Sequence, residues 1–325
     1  MSVLTYAEAL RASMREELKR DENVYLIGED IGAYGGCYGV TAGLVDEFGE
    51  ERVMDTPISE LAIVGAAVGS AMQGKRPVVE IMYADFLTVA SDQIINQACK
   101  MRYILGKEVK VPLVVRTSYG GGGRYSFNHS QSPEALFLNA PGLTIMMPST
   151  PADAKGMMTA AIRSDNPVLL FEQKYLYKTL KGEVPEGEYI VPIGKGDIKR
   201  KGEDVTVVAT GWMVHRALEA AGNLEKEGIS IEVVDPRTLK PLDEELILNS
   251  VAKTGRLITM HEASLTGGFG AEVCAIVTEK AFDCLKKPVK RLAAPDLIIP
   301  FSPNLEDLYY PGVKDLENAV HKMMQ

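Results

Sequence analysis

Short, largely apolar runs without polar alternation recur along this chain, and each gives way to a segment of helical period. Asn23-Val24-Tyr25-Leu26-Ile27-Gly28, Pro77-Val78-Val79-Glu80-Ile81-Met82, Val111 to Arg116, Leu143 to Pro148 and Val168 to Glu172 form one series. A strand apolar on both faces has no side to offer water. It belongs in a parallel sheet covered on both sides by its crossover helices. Between these runs the periodicity predicts helices over residues 6–20, from Thr56-Pro57 through Met72, over Phe86 to Tyr103 and over Asp153 to Arg163. The first is the best marked. Thr5-Tyr6-Ala7-Glu8 has capping-box spacing, and Tyr6, Ala9, Leu10, Met14 and Leu18 follow at helical intervals.

Lys181 to Gly202 breaks the pattern, being rich in Gly, Pro and charge and periodic in neither sense. It reads as an interdomain crossing with one or two edge strands. A second α/β series follows, with strands at Asp204 to Gly211, Ile229 to Asp235, Arg256 to His261 and Val289 to Ala293. Helices are predicted at Val214 to Lys226, Glu244 to Lys253 and Gly270 to Leu285. The fold class is α/β with two parallel-sheet domains, 1–185 and 203–325, joined by 186–202. The 325 residues suffice for two well-buried cores.

The net charge of −9 argues against a nucleic-acid-binding surface, and no run is long and apolar enough to span a membrane. Cys37, Cys99, Cys274 and Cys284 have no metal-ligand spacing and read as free thiols of a reducing compartment. The acid-containing amphipathic N-terminus resembles neither a signal nor a transit peptide, so a cytoplasmic protein is expected.

Chemistry is concentrated at a few places. Asp55-Thr56-Pro57-Ile58-Ser59-Glu60 opens an uncharged run, Leu61 to Met72, in which Gly65 and Gly69 have small-xxx-small spacing. Taken alone, Glu60 is a first-turn carboxylate favoured by the helix dipole. At the head of a helix suited to burial it would be desolvated unless partnered. His129 follows the glycine-rich, aromatic-bearing loop Gly120 to Asn128 at the end of a predicted parallel strand, where open α/β sheets place ligands. Gly28 to Gly43 holds five more glycines after Gly28, a loop that turns sharply or approaches something closely. Phe86 and Met82, taken alone, fill a core, and Asp165-Asn166-Pro167 makes a turn. His261-Glu262 and Gly267-Gly268-Phe269-Gly270 read as structural turns, because the spacing fails the nucleotide fingerprint. His215 and His321 lie on predicted helices and carry no chemistry.

Glu60-xxxx-Gly65, Gly28-Glu29-Asp30-Ile31-Gly32, Asp55 to Glu60 and His129-Ser130-Gln131-Ser132 together resemble the β subunit of the heterotetrameric E1 component of 2-oxo acid dehydrogenases and the related acetoin dehydrogenases. The resemblance runs nearly end to end. It includes Pro148-Ser149-Thr150-Pro151, Asp165-Asn166-Pro167, Val233 to Leu239 and Pro241-Leu242-Asp243. It implies a thiamine-enzyme pyrimidine-binding domain followed by a transketolase C-terminal-like domain. It also implies that Glu60 bonds N1′ of the thiamine diphosphate aminopyrimidine, favouring the 4′-imino form that can remove the thiazolium C2 proton. Phe86, and Met82 with it, would contact the pyrimidine, and His129 would assist proton transfer during acylation of a lipoyl group. Main-chain oxygens of Leu113, Ala161, Ile162, Ser164 and Asn166 would bind potassium. Asn128 departs from the Gln or Pro usual in the family, which bears on the substrate and not on the cofactor. No Gly-Asp-Gly metal motif is present. The Mg2+ and diphosphate half of the site would therefore come from an E1 α subunit in an α2β2 assembly, which passes its acyl group to a lipoyl-bearing E2. Acetoin or pyruvate is expected ahead of branched-chain 2-oxo acids. Two other readings stay open: another transketolase-like C–C transfer enzyme, and a non-catalytic assembly subunit in which Glu60 is only a helix-terminal charge.

Overall fold

The computed structural model describes residues 1–106 and 108–325. Its first unit comprises Met1–Tyr119 and Leu136–Ile193, its second Gly120–Ala135 and Gly194–Gln325. The segment 120–135 thus leaves the first unit and folds with the second, although both its neighbours in the chain belong to the first.

The chain begins with β1 (Ser2–Thr5), α1 (Tyr6–Arg20), β2 (Val24–Gly28), α2 (Leu44–Phe48), β3 (Val53–Asp55), α3 (Glu60–Met72) and β4 (Arg76–Ile81). It continues with α4 (Leu87–Asp92), α5 (Cys99–Leu105), β5 (Val114–Tyr119), α6 (Glu134–Leu138), β6 (Thr144–Met146), α7 (Pro151–Arg163), β7 (Val168–Gln173), α8 (Leu176–Thr179) and β8 (Lys181–Val184). The capping box forms as the sequence predicts: the Glu8 carboxylate accepts the Thr5 N–H at 2.7 Å and the Thr5 hydroxyl accepts the Glu8 N–H at 3.2 Å. Tyr6, Ala9, Leu10, Met14 and Leu18 are all buried, and α1 lies along α7. Burial of each larger side chain in that stripe contributes about 1.5–3 kcal/mol.

Within the first unit the strand order is β6-β7-β5-β4-β2-β3, parallel throughout. Every residue of β5 and β7 is buried, as expected of strands covered on both faces. The chain moves one way from β2 to β3, then crosses to the other side of β2 to lay down β4. That reversal opens a crevice at the carboxyl ends of β2 and β4. The predicted helix 86–103 is interrupted: a 3-10 turn at Ala84–Phe86, then α4, a π-turn at Gln93–Ala98, and α5.

The second unit contains β9 (Asp197–Arg200), β10 (Val205–Ala209), α9 (Trp212–Glu225), β11 (Ile231–Asp235), β12 (Thr238–Lys240), α10 (Glu244–Thr254), β13 (Leu257–Ser264), α11 (Phe269–Ala281) and β14 (Lys290–Ala294). Two further helices, α12 (Pro303–Tyr309) and α13 (Val313–Met324), complete it. Its sheet runs β14-β13-β10-β11-β9, parallel except for the antiparallel edge strand β9. The crossing therefore supplies this edge strand and also β8, which pairs antiparallel with β1. Leu316, Ala319, Val320 and Met323 of α13 join α9 over β10, β11 and β13 in one apolar core. No helix among the described residues is long and apolar enough to cross a membrane.

Candidate active site

The glycine at the end of β2 is there for space. A Cβ on Gly28 would lie 2.9 Å from the Glu80 carbonyl oxygen on the neighbouring strand. Beyond it, the Asp55 carboxylate accepts the Gly32 N–H at 2.7 Å, and the Thr56 N–H donates to Gly28 O at 3.0 Å. These bonds join two sequence motifs 23 residues apart, Gly28–Gly32 and Asp55–Glu60. They fix where Thr56-Pro57-Ile58-Ser59 leaves the sheet and hence where α3 starts. Glu60 is the first residue of α3 and is half-buried.

Glu29 lies beside it. Burial holds the Glu29 carboxyl above the ordinary carboxylate range, and the Glu60, Asp30 and Glu80 charges add to the effect. Its Oε1 is buried with no hydrogen-bond partner. A buried acceptor left this way is costly and marks a place where a donor would be welcome. In the sequence Glu29 stands out only as a member of the Gly28–Gly32 motif. The available signal was an acid held between Gly28 and Gly32 at the carboxyl end of a buried strand.

Beneath the loop that follows, an ion cluster crosses the sheet. Arg116 on β5 donates to Glu172 on β7 at 2.7 and 2.5 Å and to Glu80 on β4, and Tyr177 OH donates to Glu172 at 2.6 Å. All four groups are fully buried or nearly so. Burial works against the Arg116 charge, but Glu172 and Glu80 overcome it and hold its pKa above the ordinary value. Glu80 also accepts the Cys37 N–H at 2.8 Å, and a Cβ on Gly36, which has φ 70°, would meet the Glu80 carboxylate at 2.8 Å. The glycine-rich loop is thus tied to a fixed charge. The Cys37 thiol is pushed up by burial and then by Glu80, which disfavours the thiolate.

Met82 and Phe86 follow β4, at the other wall of the crevice, and both are half-buried. The Met82–Tyr83 peptide is cis, and the Lys174 ammonium lies 4.7 Å from the Tyr83 ring centroid. Phe86 ends the 3-10 turn and stands at the N-cap of α4.

The expected burial of α3 is only half met by this chain. Ile63, Val64, Ala67, Val68 and Ala71 are buried, whereas Leu61 (46% exposed), Ala62, Ala66 and Gly69 face outward. Gly65 serves the chain's own packing, since a Cβ there would be 3.3 Å from the Gln93 side chain, and Gly69 faces open space.

The five carbonyls expected to bind potassium cluster near the end of α7. Each already accepts a hydrogen bond: Leu113 O from Val168 N at 2.8 Å, Ala161 O from Ser164 N at 3.1 Å and Asn166 O from Ser164 Oγ at 3.1 Å. Arg76 donates to Ile162 O at 2.9 Å and to Ser164 O at 2.8 Å.

In the second unit, half-buried His129 sits on the 120–135 excursion. His261 is enclosed: a Cβ on Gly268 or Gly270 would come within 2.5 or 2.9 Å of its ring. Gly268 and Gly270 thus leave room for the imidazole, while Gly267, at φ 67°, turns the chain ahead of α11, and His261-Glu262 lies within β13 and not in a turn. Burial pushes His261 down to about 4. Among the described residues, no group of three or more His, Cys, Asp or Glu is placed to hold a metal ion.

Two successive α/β units with mostly parallel sheets define a transketolase-type architecture. The family "Transketolase, pyrimidine binding domain" matches residues 2–179, and "Transketolase, C-terminal domain" matches 194–316. The chain is 48% identical to the 2-oxoisovalerate dehydrogenase subunit beta of Bacillus subtilis (strain 168), covering 100% of both chains. It is 48% identical to the acetoin:2,6-dichlorophenolindophenol oxidoreductase subunit beta of the same organism, over 95% of this chain and 94% of that one. It is 43% identical to the same organism's pyruvate dehydrogenase E1 component subunit beta, over 100% of both. A solved structure described as a split-gene transketolase, inactive beta4 tetramer, superposes with a TM-score of 0.81 at 26% identity, covering 99% of this chain and 98% of that one. The chain belongs to the family of transketolase-type dehydrogenase E1 β subunits.

Proposed function

We propose that this chain is the β subunit of a thiamine diphosphate-dependent E1 dehydrogenase that cleaves a 2-oxo acid or acetoin and passes the acyl group to a lipoyl-bearing E2. One observation carries the reading: Glu60 stands at the head of α3, its approach tied by hydrogen bonds to the Gly28–Gly32 loop, with the orphaned Glu29 oxygen beside it. An unpaired buried acceptor, a neighbouring carboxylate and the half-buried Met82 and Phe86 at the same crevice suit a flat, polar-edged heterocycle.

Bound thiamine diphosphate supplies a thiazolium nucleophile for C–C cleavage next to a carbonyl. Glu60 holds and returns a proton at N1′ of the pyrimidine, and Glu29, kept protonated more readily than an ordinary carboxyl, donates to or accepts from groups at that edge. Met82 and Phe86 give the ring an apolar wall and exclude water. His129 moves a proton during acyl transfer to the lipoyl group. The α subunit of an α2β2 assembly supplies Mg2+ and the diphosphate contacts, in accord with the missing Gly-Asp-Gly. The exposed Leu61, Ala62, Ala66 and Gly69 face of α3 receives a partner chain. The location is cytoplasmic, with neither nucleic acid nor membrane as partner. The main-chain oxygens at the negative end of α7 suit a monovalent cation in kind, although Arg76 already serves two of them. Potassium therefore raises the melting temperature above that measured in sodium if the ion is bound, and an identical melt in both salts refutes it.

Glu60→Gln tests the central claim. With the α partner present, exchange of the cofactor C2 proton falls by roughly 10²-fold or more while the assembly still forms. Unchanged exchange favours the non-catalytic assembly reading. The 2-oxoisovalerate and acetoin relatives are equally similar at 48%, so parallel dye-reduction assays with pyruvate, acetoin and a branched-chain 2-oxo acid identify the substrate.

A further inference from the structure

The loop carrying His129 opens with four successive glycines, Gly120 to Gly123, and would be expected to move freely. Two of its side-chain-bearing residues nevertheless adopt left-handed backbone, Arg124 at φ 63° and Ser126 at φ 67°. Such residues hold that conformation only where their surroundings impose it.

The imposing groups come from the C-terminal part of the same unit. Glu306 on α12, 1% exposed, accepts the Gly122 N–H on Oε1 at 2.8 Å and the Arg124 guanidinium on Oε2 at 3.3 Å. Arg124 also donates to Pro303 O at 3.0 Å and to Asp307 at 2.7 Å. Glu262, near the end of β13 and 3% exposed, accepts the Gly121 N–H at 3.0 Å. Tyr310 OH donates to Ser130 O, the residue after His129, at 3.2 Å. Its ring lies so close to Gly121 that a Cβ there would be 2.0 Å away. Phe127, Ser130 and Ser132 line a cavity of about 510 Å3 together with Asp296, Ile298 and Tyr309. Charge-assisted bonds from Gly121 and Gly122 N–H to buried carboxylates, with the Tyr310 ring packed on Gly121, hold this end of the loop.

We propose that Glu306, Glu262 and Tyr310 are positioning residues that clamp the 120–135 loop and thereby aim His129 at the incoming lipoyl group. The proposal rests on the proton-transfer role given to His129 above. It assigns α12, the helix before the C-terminal one, a part in catalysis without any contact with substrate.

The test uses the complete assembly with its α partner and a free lipoyl domain, in wild type, Glu306→Gln, Tyr310→Phe and His129→Ala. Hydrogen–deuterium exchange of the 120–135 peptide, acylation of the lipoyl domain and dye reduction are measured on each. Glu306→Gln and Tyr310→Phe are expected to speed exchange at the loop and to slow lipoyl acylation, each by about tenfold, with dye reduction changed far less. His129→Ala is expected to lose acylation without faster exchange. Should Glu306→Gln fail to fold, Tyr310→Phe removes a single hydroxyl and carries the same comparison. Unchanged exchange in the clamp variants overturns the proposal. So does faster exchange with normal acylation while His129→Ala is impaired. Normal acylation by His129→Ala overturns the role of His129, and the positioning role with it.

Discussion

Arg116 shows how much of a site can lie in a residue with no chemistry of its own. It balances Glu80 and Glu172 inside the first sheet, and Glu80 in turn holds the Gly36–Cys37 backbone of the loop that follows Glu29. Arg116→Met leaves two buried carboxylates facing an apolar chain. It should cost about 3–5 kcal/mol in denaturant unfolding. Adding Glu80→Gln and Glu172→Gln should restore much of that, because the penalty is the uncompensated charge and not the lost bonds. A full loss that persists in the triple variant would refute this account. Glu60 was visible in the sequence as the lone charge heading an apolar run. Its neighbour Glu29 was not, because nothing within a few residues of either one encodes their proximity.

Among the elements, α3 repays attention to faces. Its apolar sequence predicts burial, yet the chain covers only one side, and the two glycines separate in role. Gly69→Leu points into open space and replaces a poor helix former, so the isolated chain should melt unchanged or about 1 kcal/mol more stably, while assembly with the α partner fails. Gly65→Leu must displace Gln93 and should destabilise the isolated chain by about 1–3 kcal/mol. Equal effects of the two on the isolated chain would contradict the division. The N-terminal helix is simpler: Thr5→Ala should cost about 1 kcal/mol by thermal unfolding, since one hydroxyl serves the cap. That helix was legible to the residue because its cap and stripe are local signals. The π-turn at Gln93–Ala98 was not, since such a turn is a rare local widening with no cap or breaker residue to announce it.

For the whole molecule, two buried groups of the second unit set opposite slopes of stability with pH. Burial pushes Glu134 up to about 8 from 4.5, Glu262 adding repulsion, so the folded chain holds a proton that the unfolded chain releases. Its contribution is intact below 4.5 and is lost as pH rises through about 8. His261, pushed down to about 4 from 6.5, resists protonation, so its contribution is intact above 6.5 and is lost as pH falls towards 4. Between 4.5 and 6.5 the slopes oppose. Of the two, Glu134 alone acts above 6.5, so the melting temperature should fall more steeply from pH 6.5 to 8.5 in wild type than in Glu134→Gln. Equal slopes in wild type and Glu134→Gln over that interval would count against the buried carboxyl.

The chain's amino-acid order determined its elements, its two α/β series and its family, because apolar period, caps and glycine punctuation act over a few residues at a time. The placement of 120–135 with the second unit, the nearness of Glu29 to Glu60 and the Glu80–Arg116–Glu172 cluster were decided only by tertiary structure. Strand order brings those residues together across dozens of positions. Which strands become neighbours depends on how all the apolar faces can be buried at once, and no local stretch of chain contains that condition.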